Sequence, residues 1–187
     1  KPGQLAADAA RLEQAARAFR AWSREETKRG AQSFLERPGR MRLRDLGLTV
    51  TARADRIDLL SDGARIVDVK TGSPPTMDQM NKNFSPQLLL EAAILAQGGF
   101  DGAPAAITRD LVFWRFSGSE AEALSVAVKD MGLMDAVNAA VTELHALAAA
   151  YRAGRPFLSK PRAFFAKPYT DYDHLARRAE WTAEGEE

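Results

Sequence analysis

Asp68 and Lys70 stand one residue apart in the run Arg65-Ile66-Val67-Asp68-Val69-Lys70, whose β-branched residues predict a strand. Strand alternation sends both side chains to one face and Val67 and Val69 to the other, holding a carboxylate beside an ammonium. Taken alone, such a pair reads more readily as a solvated cross-face ion pair. Asp55 shifts that reading. It ends an alternating run from Leu48, and Ser61-Asp62-Gly63 predicts a hairpin turn between the two runs,. Pairing them antiparallel brings two carboxylates and one lysine to one end of a sheet.

Oxygen donors without histidine or cysteine suit Mg2+ or Mn2+, ions that keep several waters and take one or two protein carboxylates. A metal held by Asp55 and Asp68 would polarise a phosphate and acidify a bound water. Lys70 is then placed to orient that water and to stabilise developing negative charge, which is the chemistry of phosphodiester hydrolysis.

Further along, Ser85 is positioned to cap a helix with Pro86 at its first position, and Gly98-Gly99 closes it,. Gln87 falls at the start of this helix, where free backbone N–H groups favour an approaching phosphate. Glu91 lies four residues on, on the same face, able to hydrogen-bond behind it or to contact solvent. Glu36, on an earlier predicted strand, is a candidate for an additional metal ligand or a solvated strand residue. Arg37, Arg40, Arg42, Arg44, Arg53 and Arg56 concentrate positive charge ahead of the acids. They form either a track for a phosphate backbone or a solvated face, and Arg53, Arg56 and Gln87 are the candidate DNA contacts. Asp58 is expected to pair with Arg56 or Arg65, outside the metal site. His174, in Asp171-Tyr172-Asp173-His174-Leu175, reads as a local hydrogen-bonded anchor. No Gly-x4-Gly-Lys-Ser/Thr loop is present, so nucleotide-driven motor activity does not reside in this chain,.

The elements that must position these residues follow from periodicity. Leu5, Ala9, Leu12, Ala16, Phe19 and Trp22 mark an amphipathic helix to about Lys28,. A strand from about Ser33 to Asp45 is expected to break at Pro38-Gly39. After the hairpin and the Gln87 helix, a strand is expected over Ile107 to Phe116, then an alanine-rich helical region from Ser119 to Ala153 with Gly132 a break. Helix, three strands, helix, strand, helix describes a mixed α/β (α+β) domain, a small mixed sheet flanked by helices. Residues 1–155 are read as the core, and 156–187 as a Pro- and aromatic-rich tail packing on it.

Composition narrows the classes. With 187 residues, 45% of them hydrophobic, the chain can bury one substantial core,. The absence of cysteine excludes disulfides, thiolate nucleophiles and thiolate-held zinc, and no iron–sulfur cluster is expected,. A formal net charge of +1 means that any nucleic-acid affinity must come from local charge,. No apolar run suits a membrane and no signal-like stretch follows Lys1, so a cytoplasmic protein with no membrane partner is expected. A start at Lys1, directly in a helical pattern, suggests a piece of a longer polypeptide.

Three segments, Ala54-Asp55-Arg56-Ile57-Asp58, Ile66-Val67-Asp68-Val69-Lys70-Thr71-Gly72 and Pro86-Gln87-Leu88-Leu89-Leu90-Glu91-Ala92, resemble the RecB-type nuclease domains of the PD-(D/E)XK class. Within that class the chain is most similar to the nuclease domain of the B subunit of bacterial AddAB helicase–nucleases, with Phe113-Trp114-Arg115 and Tyr172-Asp173-His174-Leu175-Ala176 extending the likeness. The resemblance implies a restriction-endonuclease-like core and an exonuclease acting on single-stranded DNA from unwound duplex ends in double-strand break repair and recombination. Its partner would be the helicase–nuclease A subunit. It implies Asp55, Asp68 and the Val69 carbonyl as ligands of the divalent ion, Lys70 as the catalytic lysine, and Gln87 as the helix glutamine. Two features depart from the family. The four cysteines that hold an iron–sulfur cluster in many relatives are missing, and no histidine precedes Asp55, so Glu36 or water is left as third ligand. A catalytically silent DNA-binding or scaffolding module of the same complex is the alternative.

Overall fold

The computed structural model describes residues 2–28, 31–71, 73–76, 79–80, 85–117, 120–126, 128 and 131–155. The tail at 156–187, with its predicted packing and His174, lies outside these residues. The chain divides into two units. The first, Lys1–Ala146, holds the sheet and every site residue discussed below. The second, Leu147–Glu187, is described only over 147–155, the last turns of a helix and the turn at Gly154.

The elements run α1 (Pro2–Lys28), β1 (Gln32–Leu43), a 3-10 turn (Arg44–Leu46), β2 (Leu48–Leu60), β3 (Gly63–Lys70), α2 (Gln87–Ala96), β4 (Thr108–Ser117), β5 (Glu120–Ser125) and α3 (Leu133–Arg152). The five strands form one mixed sheet in the order β1-β2-β3-β4-β5. All neighbours are antiparallel except β3 and β4. A parallel pair needs a long crossover, and α2 supplies it. Apolar side chains on both faces of β3, with Ile66 and Val67 fully buried, mark it as the strand covered on both sides,.

Burial explains the layers. Ile57 and Ile66 pair across β2 and β3 and join Leu88, Ala92, Leu95, Leu111 and Phe113 in the main core, to which α3 adds Ala136, Val137 and Ala140. Each such Ile, Leu or Phe side chain stabilises the fold by roughly 1.5–3 kcal/mol relative to exposure. On the opposite face Val67, Val112 and Trp114 meet Phe19 and Trp22 of α1. Trp22 stacks on Trp114 with ring centroids 5.1 Å apart.

Three local expectations change. The segment from Ser119 does not continue as helix: β5 pairs with β4 over Val112↔Ser125 to Ser117↔Glu120, and helix begins only after Gly132. Glu120, Ala121, Glu122 and Ala123 favour helix intrinsically, but pairing with an open sheet edge outweighs that preference. Strand β1 runs through Pro38 and Gly39 unbroken, because the sheet edge tolerates proline,. Its irregularity sits at Glu36, the one non-glycine residue with positive φ (51°) among those described. Ser85 does not cap α2: Pro86 takes the N-cap position with no side-chain cap bond. Gly39 is fixed by close approach, since a Cβ there would meet the Phe100 ring at 2.4 Å,. No helix among the described residues is long and apolar enough to cross a membrane.

Candidate active site

The hairpin turn at Ser61 and Asp62 sets the register Ile57↔Ile66 and Arg56↔Val67, where the β2–β3 ladder stops. One step further, the same register sets Asp55 across from Asp68. The strands part at that step without orphaning a donor, because Asp55 Oδ2 accepts the Val69 N–H at 2.8 Å,. Alternation puts Asp68 and Lys70 on the face covered by α2, with Ile66 behind them.

Lys70 Nζ lies 2.8 Å from Asp68 Oδ2 and donates to Gln87 Oε1 at 3.4 Å. The Gln87 amide donates to Asp68 Oδ1 at 2.8 Å and to Glu91 Oε1 at 3.1 Å. Its orientation follows from its neighbours, with NH2 toward two carboxylates and carbonyl toward the ammonium. Gln87 begins α2, whose first N–H groups carry no side-chain cap and remain donors for an anion,.

Three acids, Asp55, Asp68 and Glu91, thus face one ammonium. Burial pushes the Asp68 carboxyl up, the Asp55 charge adds to this, and the bonds from Lys70 and Gln87 oppose it,. Glu91 is 2% exposed, and Oε2 has no hydrogen-bond partner. Burial pushes its pKa up to about 7, the Gln87 bond pulling down and the Asp68 and Asp55 charges pushing up.

A divalent cation is the group that relieves such an excess of negative charge. Among the described residues no three acids or histidines are already gathered as a cage, but Mg2+ requires only one or two carboxylates and completes its shell with water. The donor chemistry of Asp55 and Asp68 fits that requirement. Such an ion, when bound, supplies Lewis acidity toward a phosphate oxygen. Lys70 adds a positive charge that remains open to solvent at the rim, and Gln87 fixes the Asp68 carboxylate that both would share.

The other expected residues are placed differently. Glu36 is exposed and bonds Arg53 Nε at 2.8 Å. Its backbone lies across from Asp55 at the step where β1 and β2 also lack a pair. Arg53 stays exposed. Arg56, expected to contact DNA, is instead a buried structural cation: it is 3% exposed, bonds Asp58, Ser23 and Ser33, and packs against Trp22. The reason is alternation, since the residue after Asp55 must face α1. Asp58 joins it there at 2.7 Å, apart from the acids of the other face. Arg115 was not singled out from the sequence: the parallel register Lys70↔Arg115 sets it beside Lys70, where Glu122 holds it. Only the strand order reveals that neighbour.

The family model of the PD-(D/E)XK nuclease superfamily matches residues 2–169, and the chain belongs to that superfamily. The mixed five-strand sheet flanked by helices is the fold expected of it.

Among curated proteins, the chain is similar to several from Rickettsia. It is 33% identical over 87 residues to the uncharacterized protein RC0550 of Rickettsia conorii, covering 45% of this chain and 10% of that protein. An uncharacterized protein of Rickettsia felis is 33% identical over 88 residues, 46% of this chain and 10% of the relative. For the uncharacterized protein RT0391 of Rickettsia typhi the figures are 34% over 80 residues, 41% and 9%. The match thus spans about a tenth of the length of these relatives. Among solved structures, the one described as the crystal structure of SSO0001 is similar with a TM-score of 0.39 and 11% identity, covering 79% of this chain and 61% of that chain.

Proposed function

We propose that this chain is a Mg2+- or Mn2+-dependent DNA exonuclease domain in which Asp55 and Asp68, with the Val69 carbonyl, hold the metal. Lys70 serves as the catalytic lysine and Gln87 positions Asp68. The observation that carries the reading is the convergence of Asp55, Asp68, Lys70 and Gln87 at the parting end of β2 and β3. Glu36 remains a candidate for the third ligand by reorientation away from Arg53.

The domain acts, in this reading, within the B subunit of a cytoplasmic AddAB-type helicase–nuclease, trimming single strands that the A subunit unwinds at broken DNA ends. Support comes from the three sequence segments that resemble that family and from the much greater length of the Rickettsia relatives, which suits a domain of a large polypeptide.

The test is cleavage of end-labelled single-stranded DNA with Mg2+ or Mn2+, comparing the wild-type chain, Asp68→Ala and Lys70→Ala, with a chelator control. Metal-dependent cutting that disappears in both variants is expected. Equal cutting by all three would remove these residues from the site.

A further inference from the structure

Between Arg37 and Arg53 the chain carries five arginines and one aspartate, with no lysine or glutamate, although the whole chain has a formal charge of only +1. This segment is the outer part of the β1–β2 ribbon, lying beyond the last β2–β3 ladder pair at Arg56↔Val67. Its lone acid, Asp45, is engaged by His145.

The two sides of the ribbon differ. One side sends Met41, Leu43, Val50, Ala52 and Ala54 into the main core. It is pinned to the loop after α2, where Arg40 N–H donates to Gly99 O and Asp101 N–H to Pro38 O, each at 3.0 Å. The other side is exposed and carries Arg40 across from Thr51, Arg42 across from Thr49, and Arg53 across from Pro38. Among the described residues Arg40 and Arg42 have no ion-pair partner, and the single acid at this side, Glu36, is bound to Arg53. Positions 49, 51 and 53 lie on one side of the β2 backbone by alternation, which reverses after Ala54, since Ala54 and Ile57 both enter the main core,. The row of Thr49, Thr51 and Arg53 runs about 13 Å at a rise near 3.3 Å per residue and ends two residues along β2 from Asp55, where the face turns,.

We propose that this exposed side of the ribbon, through Arg40, Arg42 and Arg53 with the Thr49 and Thr51 hydroxyls, binds the phosphate backbone of a single DNA strand and leads it to Asp55. The inference rests on the nuclease reading for its direction but not for the binding itself. Charge complementarity selects the partner: guanidiniums and hydroxyls at regular spacing on a pinned ribbon match a repeating anion,. A cleft of about 540 Å3 lined by Arg42, Leu43, Arg44, Gly47, Leu48 and Thr49 ends the row at the ribbon tip.

The test is equilibrium binding of a fluorescein-labelled oligothymidylate to the 187-residue chain in EDTA, where no cutting occurs, across a salt series. Wild type is compared with Arg40→Ala/Arg42→Ala and with a charge-matched control on α1, Arg17→Ala/Arg20→Ala. Loss of two phosphate contacts should lower the slope of log affinity against log salt by about 1.4, with affinity falling on the order of tenfold in the ribbon variant only. Equal losses in both variants, no loss in the ribbon variant, or no binding by wild type would overturn the proposal. Cutting by wild type in Mg2+ is scored separately. Ribbon-dependent binding without cutting refutes the nuclease reading and leaves the strand track standing, whereas cutting with ribbon-independent binding does the reverse.

Discussion

Two charged clusters occupy opposite faces of the same two strands. Toward α1, Arg56 is bonded to Asp58 at 2.7 Å, and Arg65 bridges Glu26 and Asp110 at 2.5 and 2.9 Å. Toward α2, Asp55, Asp68 and Glu91 share one lysine and the neutral amide of Gln87. The first cluster answers acids with planar guanidiniums, each able to satisfy two partners, under a lid of Trp22 and Phe19,. The second leaves negative charge in excess beside a half-open edge, with Asp68 and Glu91 both pushed toward the protonated form. Two guanidiniums against three acids hold the sheet to its helix. One ammonium against three acids is the larger excess, which a divalent cation would offset,.

That contrast can be broken from either side. The largest effect belongs to the open cluster: Asp68→Ala and Lys70→Ala should each lower metal-dependent cutting by about 10²-fold or more while melting close to wild type. A loss of activity accompanied by unfolding would mean that these groups are structural. In the closed cluster, Asp58→Ala leaves the buried Arg56 guanidinium without its counter-ion and should destabilise the chain by about 3–5 kcal/mol, read from urea unfolding,. A change below about 1 kcal/mol would show the network to be dispensable.

Glu91 gives the next largest effect. Its folded pKa of about 7 lies above the ordinary value of 4.5, so between those pH values the folded chain binds more protons than the unfolded one. Stability of the metal-free protein should therefore fall as pH rises from about 4.5 to 7, by up to roughly 3 kcal/mol at 1.4 per pH unit. Glu91→Gln should flatten that slope, and an unchanged slope would place the titration elsewhere. The smallest effect is expected at the exposed Glu36–Arg53 pair, where Glu36→Ala should alter stability by less than about 1 kcal/mol. Cutting by that variant sharpens the site: retained activity makes water the third ligand, and lost activity makes it Glu36.

Local pattern made much of this legible. The Asp-x-Lys strand, the turn at Ser61-Asp62-Gly63 and the Gln87 helix follow from alternation, turn residues and helix punctuation, and the structure has them at those positions. Arg56 could have been assigned correctly from alternation alone, since its neighbour Asp55 takes the other face. Other features depend on distant partners. The helix-favouring letters of β5 become a strand only because β4 offers an edge. The burial of Glu91 depends on how α2 settles over the sheet, and the placement of Arg115 beside Lys70 depends on a parallel register that no local spacing encodes.

The central claim, that the open cluster is a divalent-metal site, is tested most directly by titrating Mn2+ and following the free ion by electron paramagnetic resonance. Wild type should take up Mn2+ at a site that is lost in both Asp55→Asn and Asp68→Asn while circular dichroism is unchanged. Undiminished uptake by both variants would contradict the account.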